Sequence, residues 1–141
     1  MIEITNSTEF YEYDKVFLQK ILRDFTKQKL ELVVTDSLTI QTINNTHRGI
    51  NMPTDVLSFP HFGSKKKEPL GSIVINIEYV MQLSQKLGHT PSEEFTLLFI
   101  HGMLHLLGHD HEKDHGEMRE LERKIITKHN LPESLIIRNT P

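Results

Sequence analysis

Apolar positions recur along this chain with two different periods, and the switches between them divide it into elements. Ile2-Glu-Ile-Thr5 alternates apolar and polar residues and predicts a short strand. From Asp14 the spacing changes. Phe17, Leu18, Ile21, Leu22 and Phe25 fall on one helical face, which predicts an amphipathic helix running to about Gln28. Glu31-Leu-Val-Val-Thr35 is β-branched and strand-like. Ser37 to Asn44 carries Leu38, Ile40 and Ile43 at helical spacing, and Asn44-Asn-Thr-His-Arg-Gly49 is expected to break that helix. Pro53 then holds Met52 extended. Asp55-Val-Leu-Ser-Phe59, closed by Pro60, and Leu70-Gly-Ser-Ile-Val-Ile-Asn76 predict two strands that pair antiparallel across the polar loop 61–69.

The second half reads as helices. Glu78 to Leu87 is helical and Gly88 ends it. The next helix has a sharply written start: Thr90 as N-cap, Pro91 in the first helical position and Glu93 three residues after the cap form a capping box. From Phe95 to Leu107 apolar residues occupy nearly every face, so this helix should be buried all round. A last helix is expected from Asp114, with Met118, Leu121 and Ile125 as its inner stripe and Asn130 with Pro132 at its end.

Length and composition narrow the class. A chain of 141 residues suits one domain spanning 1–141. Hydrophobic content of 37% and charged content of 25% are those of a globular protein. There is no cysteine, so disulfides and thiolate sites are excluded, a reducing, cytoplasmic setting is expected, and any metal must be held by nitrogen and oxygen. No basic segment followed by a long apolar stretch opens the chain, so no signal peptide is expected. Leu97-Leu-Phe-Ile100 is far too short to span a bilayer, and no membrane partner is expected. The net charge of −3 does not advertise a polyanion partner, so nucleic-acid binding would rest on local groups such as Lys65-Lys66-Lys67 and Arg48. Exposed lysine runs are more often plain solvation.

The candidate chemistry lies at the end of the buried helix, in His101-Gly-Met-Leu-His105-Leu-Leu-Gly108-His-Asp-His111. Residues four apart on a helix project on the same side with about 6 Å of axial rise. Two such imidazoles can converge on one ion at bonds of about 2.0–2.1 Å. Gly108 can adopt a positive φ and turn the chain back, so that His111 supplies a third nitrogen. Three protein ligands leave a fourth position for water, as in catalytic rather than structural zinc sites. A lone histidine in an apolar helix is usually a core residue bonded to a carbonyl. Two on one stripe are harder to satisfy, because each has two ring nitrogens needing partners. Gly102 is the second clue. Glycine inside a helix costs roughly 1 kcal/mol relative to alanine, which points to close approach by a strand or substrate. It also stands where a His-Glu-x-x-His metalloprotease keeps its general base. The helix has zincin-like geometry, and the missing glutamate implies different chemistry.

The motif at 101–111, with Arg48-Gly49 and Pro53-Thr-Asp-Val-Leu-Ser-Phe-Pro60, resembles the bacterial YbeY family, over about residues 32–126 in element order. The resemblance implies an α+β fold, a small mixed β-sheet packed against helices. It implies a metal-dependent endoribonuclease directed at single-stranded RNA, acting in ribosomal RNA maturation and ribosome quality control alongside the ribosome or small-subunit assembly proteins. It further implies one zinc ion per chain on His101, His105 and His111, and a functional arginine at Arg48. Two departures stand out: the family usually has tyrosine where this chain has His109, and Leu-Gly-Asp where it has Leu70-Gly71-Ser72.

A three-histidine zinc lowers the pKa of its water from about 15.7 to near 7. Arg48 suits the companion role, because its planar, permanently charged guanidinium matches two phosphate oxygens. Without the resemblance, plain solvation of Arg48 is the better reading. His109 is a candidate for proton transfer or a bystander. Asp110 either orients a ligand imidazole or belongs to a tight turn. His47, His61, His89, His115 and His129 sit in polar segments and are given no role. Two other readings stay open: a zinc hydrolase or protease of other substrates, and a non-enzymatic ribosome-assembly factor stabilised by its metal. Nickel or another first-row metal could replace zinc.

Overall fold

The computed structural model describes residues 1–61 and 68–133; the Lys65-Lys66-Lys67 run lies outside them. Among these residues the chain forms strands β1 (Ile2–Asn6), β2 (Leu30–Thr35), β3 (Val56–Pro60) and β4 (Gly71–Asn76). Its helices are α1 (Lys15–Arg23), α2 (Ser37–Arg48), α3 (Ile77–Leu87), α4 (Pro91–Leu106) and α5 (Glu117–His129). The sheet order is β1-β2-β4-β3, with the first two pairings parallel and β3–β4 antiparallel. The fold is therefore α+β with a mixed sheet, and the expected antiparallel pair is present.

The two-residue period of a strand decides what each helix covers. Leu32, Val34, Ile73 and Ile75 point to one face and join the main core with Leu18, Ile21 and Leu22 of α1 and Phe95, Phe99 and Met103 of α4. Val74 points to the other face, where it meets Leu57 and Ile40 in a smaller cluster beneath α2. Helices α2 and α4 thus lie on opposite faces of the sheet, with β3 as the strand at its edge. Fully burying a side chain such as Phe95 or Phe99 contributes roughly 1.5–3 kcal/mol, so α4 is the main anchor of the larger core.

Helix α4 begins as its sequence predicts: the Thr90 hydroxyl accepts from the Glu93 N–H at 3.1 Å, and the Glu93 carboxylate accepts from the Thr90 N–H at 2.9 Å. Other boundaries differ. Helix α1 stops at Arg23 rather than near Gln28, because the Arg23 guanidinium donates to the Thr26 and Gln28 carbonyls at 3.1 and 3.2 Å and closes an irregular turn. Phe25 is left 37% exposed instead of on the inner face. Helix α2 runs past Asn44 to Arg48. The Asn44 side chain does not compete for the local backbone but donates to the Met52 carbonyl at 2.9 Å, and Gly49 (φ 69°) supplies the left-handed end. Strand β3 includes Pro60, which an edge position tolerates. Helix α5 starts at Glu117, not Asp114. The Asp114 carboxylate does accept from the N–H groups of Gly116 and Met118, at 2.8 and 3.0 Å, but Gly116 (φ 102°) takes the cap position between them. Among the described residues no helix is long and apolar enough to cross a membrane.

Candidate metal centre

Three features of α4 and its exit bring the histidines together. His101 and His105 share one side of the last two turns. Gly108 (φ 98°) then reverses the chain in a Schellman arrangement, its N–H bonded to the His105 carbonyl at 3.0 Å and the His109 N–H to the Leu104 carbonyl at 3.0 Å. The loop that follows is held by Asp110, whose carboxylate accepts from the Glu112 N–H at 3.0 Å and whose carbonyl accepts from Asp114 at 2.9 Å. Asp110 therefore serves the turn. Among the described residues its hydrogen bonds come from backbone N–H groups, and none comes from a ligand imidazole.

The rings of His101, His105 and His111 sit 4.7, 5.3 and 5.5 Å apart, centroid to centroid. One nitrogen from each lies within 4.8 Å of the others, a set able to hold a metal ion. The hydrogen bonds fix which nitrogens are free. His105 Nδ1 lies 2.9 Å from the His109 carbonyl, which can only accept, so Nδ1 carries the proton and Nε2 is left with a lone pair. His101 Nδ1 lies 3.1 Å from the buried Glu122 carboxylate, which leaves its Nε2 in the same condition. The two Nε2 atoms face each other 3.1 Å apart. Only a shared proton or a cation between them relieves that opposition. His111 Nδ1 is buried with no hydrogen-bond partner among the described residues, an orphaned polar atom beside the other two rings. An all-nitrogen donor set of this kind fits a first-row divalent ion. Burial first, and then the neighbouring His101, hold His105 below the ordinary histidine value, with its bond to the His109 carbonyl acting the other way. The neutral, ligand-ready ring is favoured.

His101 is buried, while His105 and His111 are half-buried and open into a cleft of about 710 Å³. Strand β3 forms a wall of this cleft, and Arg48, from the last turn of α2, also lines it. The sheet edge thus joins groups carried by its two opposite faces. Arg48 is exposed, and its guanidinium makes no hydrogen bond or ion pair with any described residue. His109 lines the same cleft.

Gly102 owes its place to β3 and β4. A Cβ there would lie 3.0 Å from Ile73 Cγ2 and 3.1 Å from Ser58 Oγ, and the Ser58 hydroxyl donates to the Gly102 carbonyl at 3.2 Å. The close approach is by strands, and any side chain at this position would press on Ile73 and Ser58. Sequence reasoning missed two groups. Glu122 sits on the apolar stripe of α5, four residues after Met118 and three before Ile125, and a charged residue on such a stripe was the available signal. His89, assigned to a polar segment, is instead mostly buried against Glu94, with His89 Nε2 and Glu94 Oε1 2.7 Å apart.

The family model for Endoribonuclease YbeY matches residues 3–130. The chain belongs to that family. The match is wider than the stretch of 32–126 that the motifs carried. The endoribonuclease YbeY of Nitratiruptor sp. is 49% identical over 98% of this chain and 95% of its own length. That of Sulfurimonas denitrificans is 49% identical over 99% of both chains, and that of Campylobacter jejuni 49% identical over 86% of this chain and 90% of its own. Among solved structures, the solution structure of TM1509 from Thermotoga maritima is similar, with a TM-score of 0.60 and 25% identity over 91% of this chain and 88% of that one.

Proposed function

We propose that this protein is a metal-dependent endoribonuclease that cuts single-stranded RNA, with His101, His105 and His111 holding one zinc ion and Arg48 binding the phosphate that is attacked. The proposed setting is cytoplasmic, in ribosomal RNA maturation and ribosome quality control, with the ribosome or its small-subunit assembly proteins as partners. The relatives' shared description as endoribonucleases supports the reaction class. One observation carries the reading at the site: three imidazole nitrogens within 4.8 Å of one another open into the same cleft as the guanidinium of Arg48.

When bound, a divalent ion in this position supplies Lewis acidity, activating water or polarising a phosphoryl oxygen. The chain's own residues do the rest. The His109 carbonyl and the Glu122 carboxylate hold two imidazoles with their Nε2 atoms toward a common point. Arg48, whose guanidinium has no partner among the described residues, offers its fork to two oxygens of a phosphodiester and neutralises charge that grows during attack. The cleft of about 710 Å³ has room for part of an RNA strand beside these groups. The net charge of −3 makes this local cation the more important for attraction.

A protease reading is disfavoured by Gly102, which supplies no carboxylate where a His-Glu-x-x-His enzyme keeps its general base. The deciding experiment is a digestion time course on single-stranded and duplex RNA, with and without chelator, using Arg48→Ala protein from the same purification as the control for contaminating nuclease. Chelator-sensitive cleavage of the single strand, reduced in the variant, is expected. Equal cleavage by parent and variant, or persistence in chelator, would reject the mechanism; no cleavage of RNA by metal-loaded protein would favour the assembly-factor reading.

A further inference from the structure

We propose that Glu122 is a positioning residue of the metal centre, holding His101 in the one ring orientation that presents Nε2 to the ion. This inference rests on the metal-site reading above and extends it to helix α5.

Glu122 is 1% exposed and lies between Met118 and Ile125, both buried, on the face of α5 that packs onto the core. A carboxylate there gives up its hydration, and an apolar side chain of similar size would fill the space without that penalty. Its hydrogen-bond partner among the described residues is His101 Nδ1, at 3.1 Å. Packing alone does not account for it.

His101 is the candidate ligand that most needs such a partner. It lies in the last turns of a largely buried helix, and a half-turn of its ring about Cβ–Cγ would put Cδ2 and Cε1 where Nδ1 and Nε2 now lie, with almost no change of shape. The carboxylate distinguishes the two orientations, because it accepts the Nδ1 proton and leaves the Nε2 lone pair 3.1 Å from its counterpart on His105. The two ligands are thus anchored differently. His105 is held by a main-chain carbonyl only four residues on, and His101 by a side chain from the next helix. A histidine that donates its second nitrogen to a carboxylate is also a more basic ligand. Docking of α5 and retention of the ion are then linked through one bond.

The test compares the parent with Glu122→Met, Glu122→Asp and Glu122→Gln, each prepared metal-free and checked for folding by circular dichroism. Zn2+ is titrated against a chromophoric chelator, and ring-nitrogen NMR reports which nitrogen of His101 carries the proton in the metal-free protein. The Met variant should bind Zn2+ about 10–100-fold more weakly, with the His101 proton shifting from Nδ1 toward Nε2. Asp withdraws the carboxylate while keeping its charge and should also lose affinity, which keeps the test sharp if Met fails to fold. Gln, whose amide oxygen can still accept, should recover most of the affinity and keep the Nδ1 proton. Folded Met or Asp variants with parental Zn2+ affinity and an unchanged His101 proton would overturn the proposal. Failure of the parent itself to bind Zn2+ would instead overturn the metal-site reading.

Discussion

The two sides of the cleft are built on opposite plans. On the α4 side, every imidazole sits in a buried or half-buried setting, and two of the three have one nitrogen tied to a carbonyl or carboxylate. On the α2 side, Arg48 stands exposed on the last helical turn with no partner among the described residues. The first plan fixes geometry before any ligand arrives, which metal coordination needs because bond lengths tolerate little error. The second leaves a long side chain free to follow a flexible polyanion. Rigidity sits where chemistry is proposed and freedom where recognition is proposed.

The contrast breaks most completely at His105. His105→Ala should remove the bound metal and bring RNA cleavage down to background, measured by metal content and product formation on the same folded preparation. Metal retention with full cleavage would show that the α4 side is not the chemical side. Next in size is Arg48→Ala, which should leave metal content unchanged while kcat/KM falls roughly 10²–10³-fold, the range for loss of one charge-stabilising donor. Arg48→Lys should recover only part, since a point charge cannot replace a planar fork. If metal and cleavage fall together in Arg48→Ala, the arginine is structural and the contrast fails.

How much of this was legible follows the same division. The metal triad could be read because helical spacing and one glycine turn are local facts, and Gly102 announced a close approach that β3 and β4 make. The strands of the sheet and the capped start of α4 were legible for the same reason. Arg48 had no such signature: only the family resemblance singled it out, and its route to the cleft depends on α2 running past Asn44, which a tertiary bond to the Met52 carbonyl decides. Glu122 was invisible to spacing because its partner lies on another helix, although its place on an apolar stripe was a usable warning.

Two smaller perturbations sharpen the comparison through stability. Gly102→Ala gains roughly 1 kcal/mol of helix propensity but meets Ile73, itself fully buried, at 3.0 Å. Overpacking of this kind costs about 1–3 kcal/mol, so a lower Tm is expected; a higher one would mean the sheet yields. Asp36→Ala should cost about 1 kcal/mol, as for the loss of an N-cap, because the Asp36 carboxylate caps α2 by accepting from the Thr39 N–H at 2.8 Å. That bond, then the Thr39 hydroxyl, holds Asp36 below its ordinary value of 3.8. A depressed carboxyl stabilises the fold above that value and loses its contribution as pH falls through the lower folded-state pKa. The Tm gap between variant and parent should therefore be full at pH 7 and shrink in strong acid. A gap independent of pH would assign the effect to packing.

The anchor of His105 belongs to the main chain rather than to any particular side chain. Position 109 can therefore drift without disturbing its neighbour: whichever residue evolution writes there still offers the same oxygen. That latitude accommodates an imidazole at the cleft rim, beside a ligand whose grip does not depend on which side chain stands there.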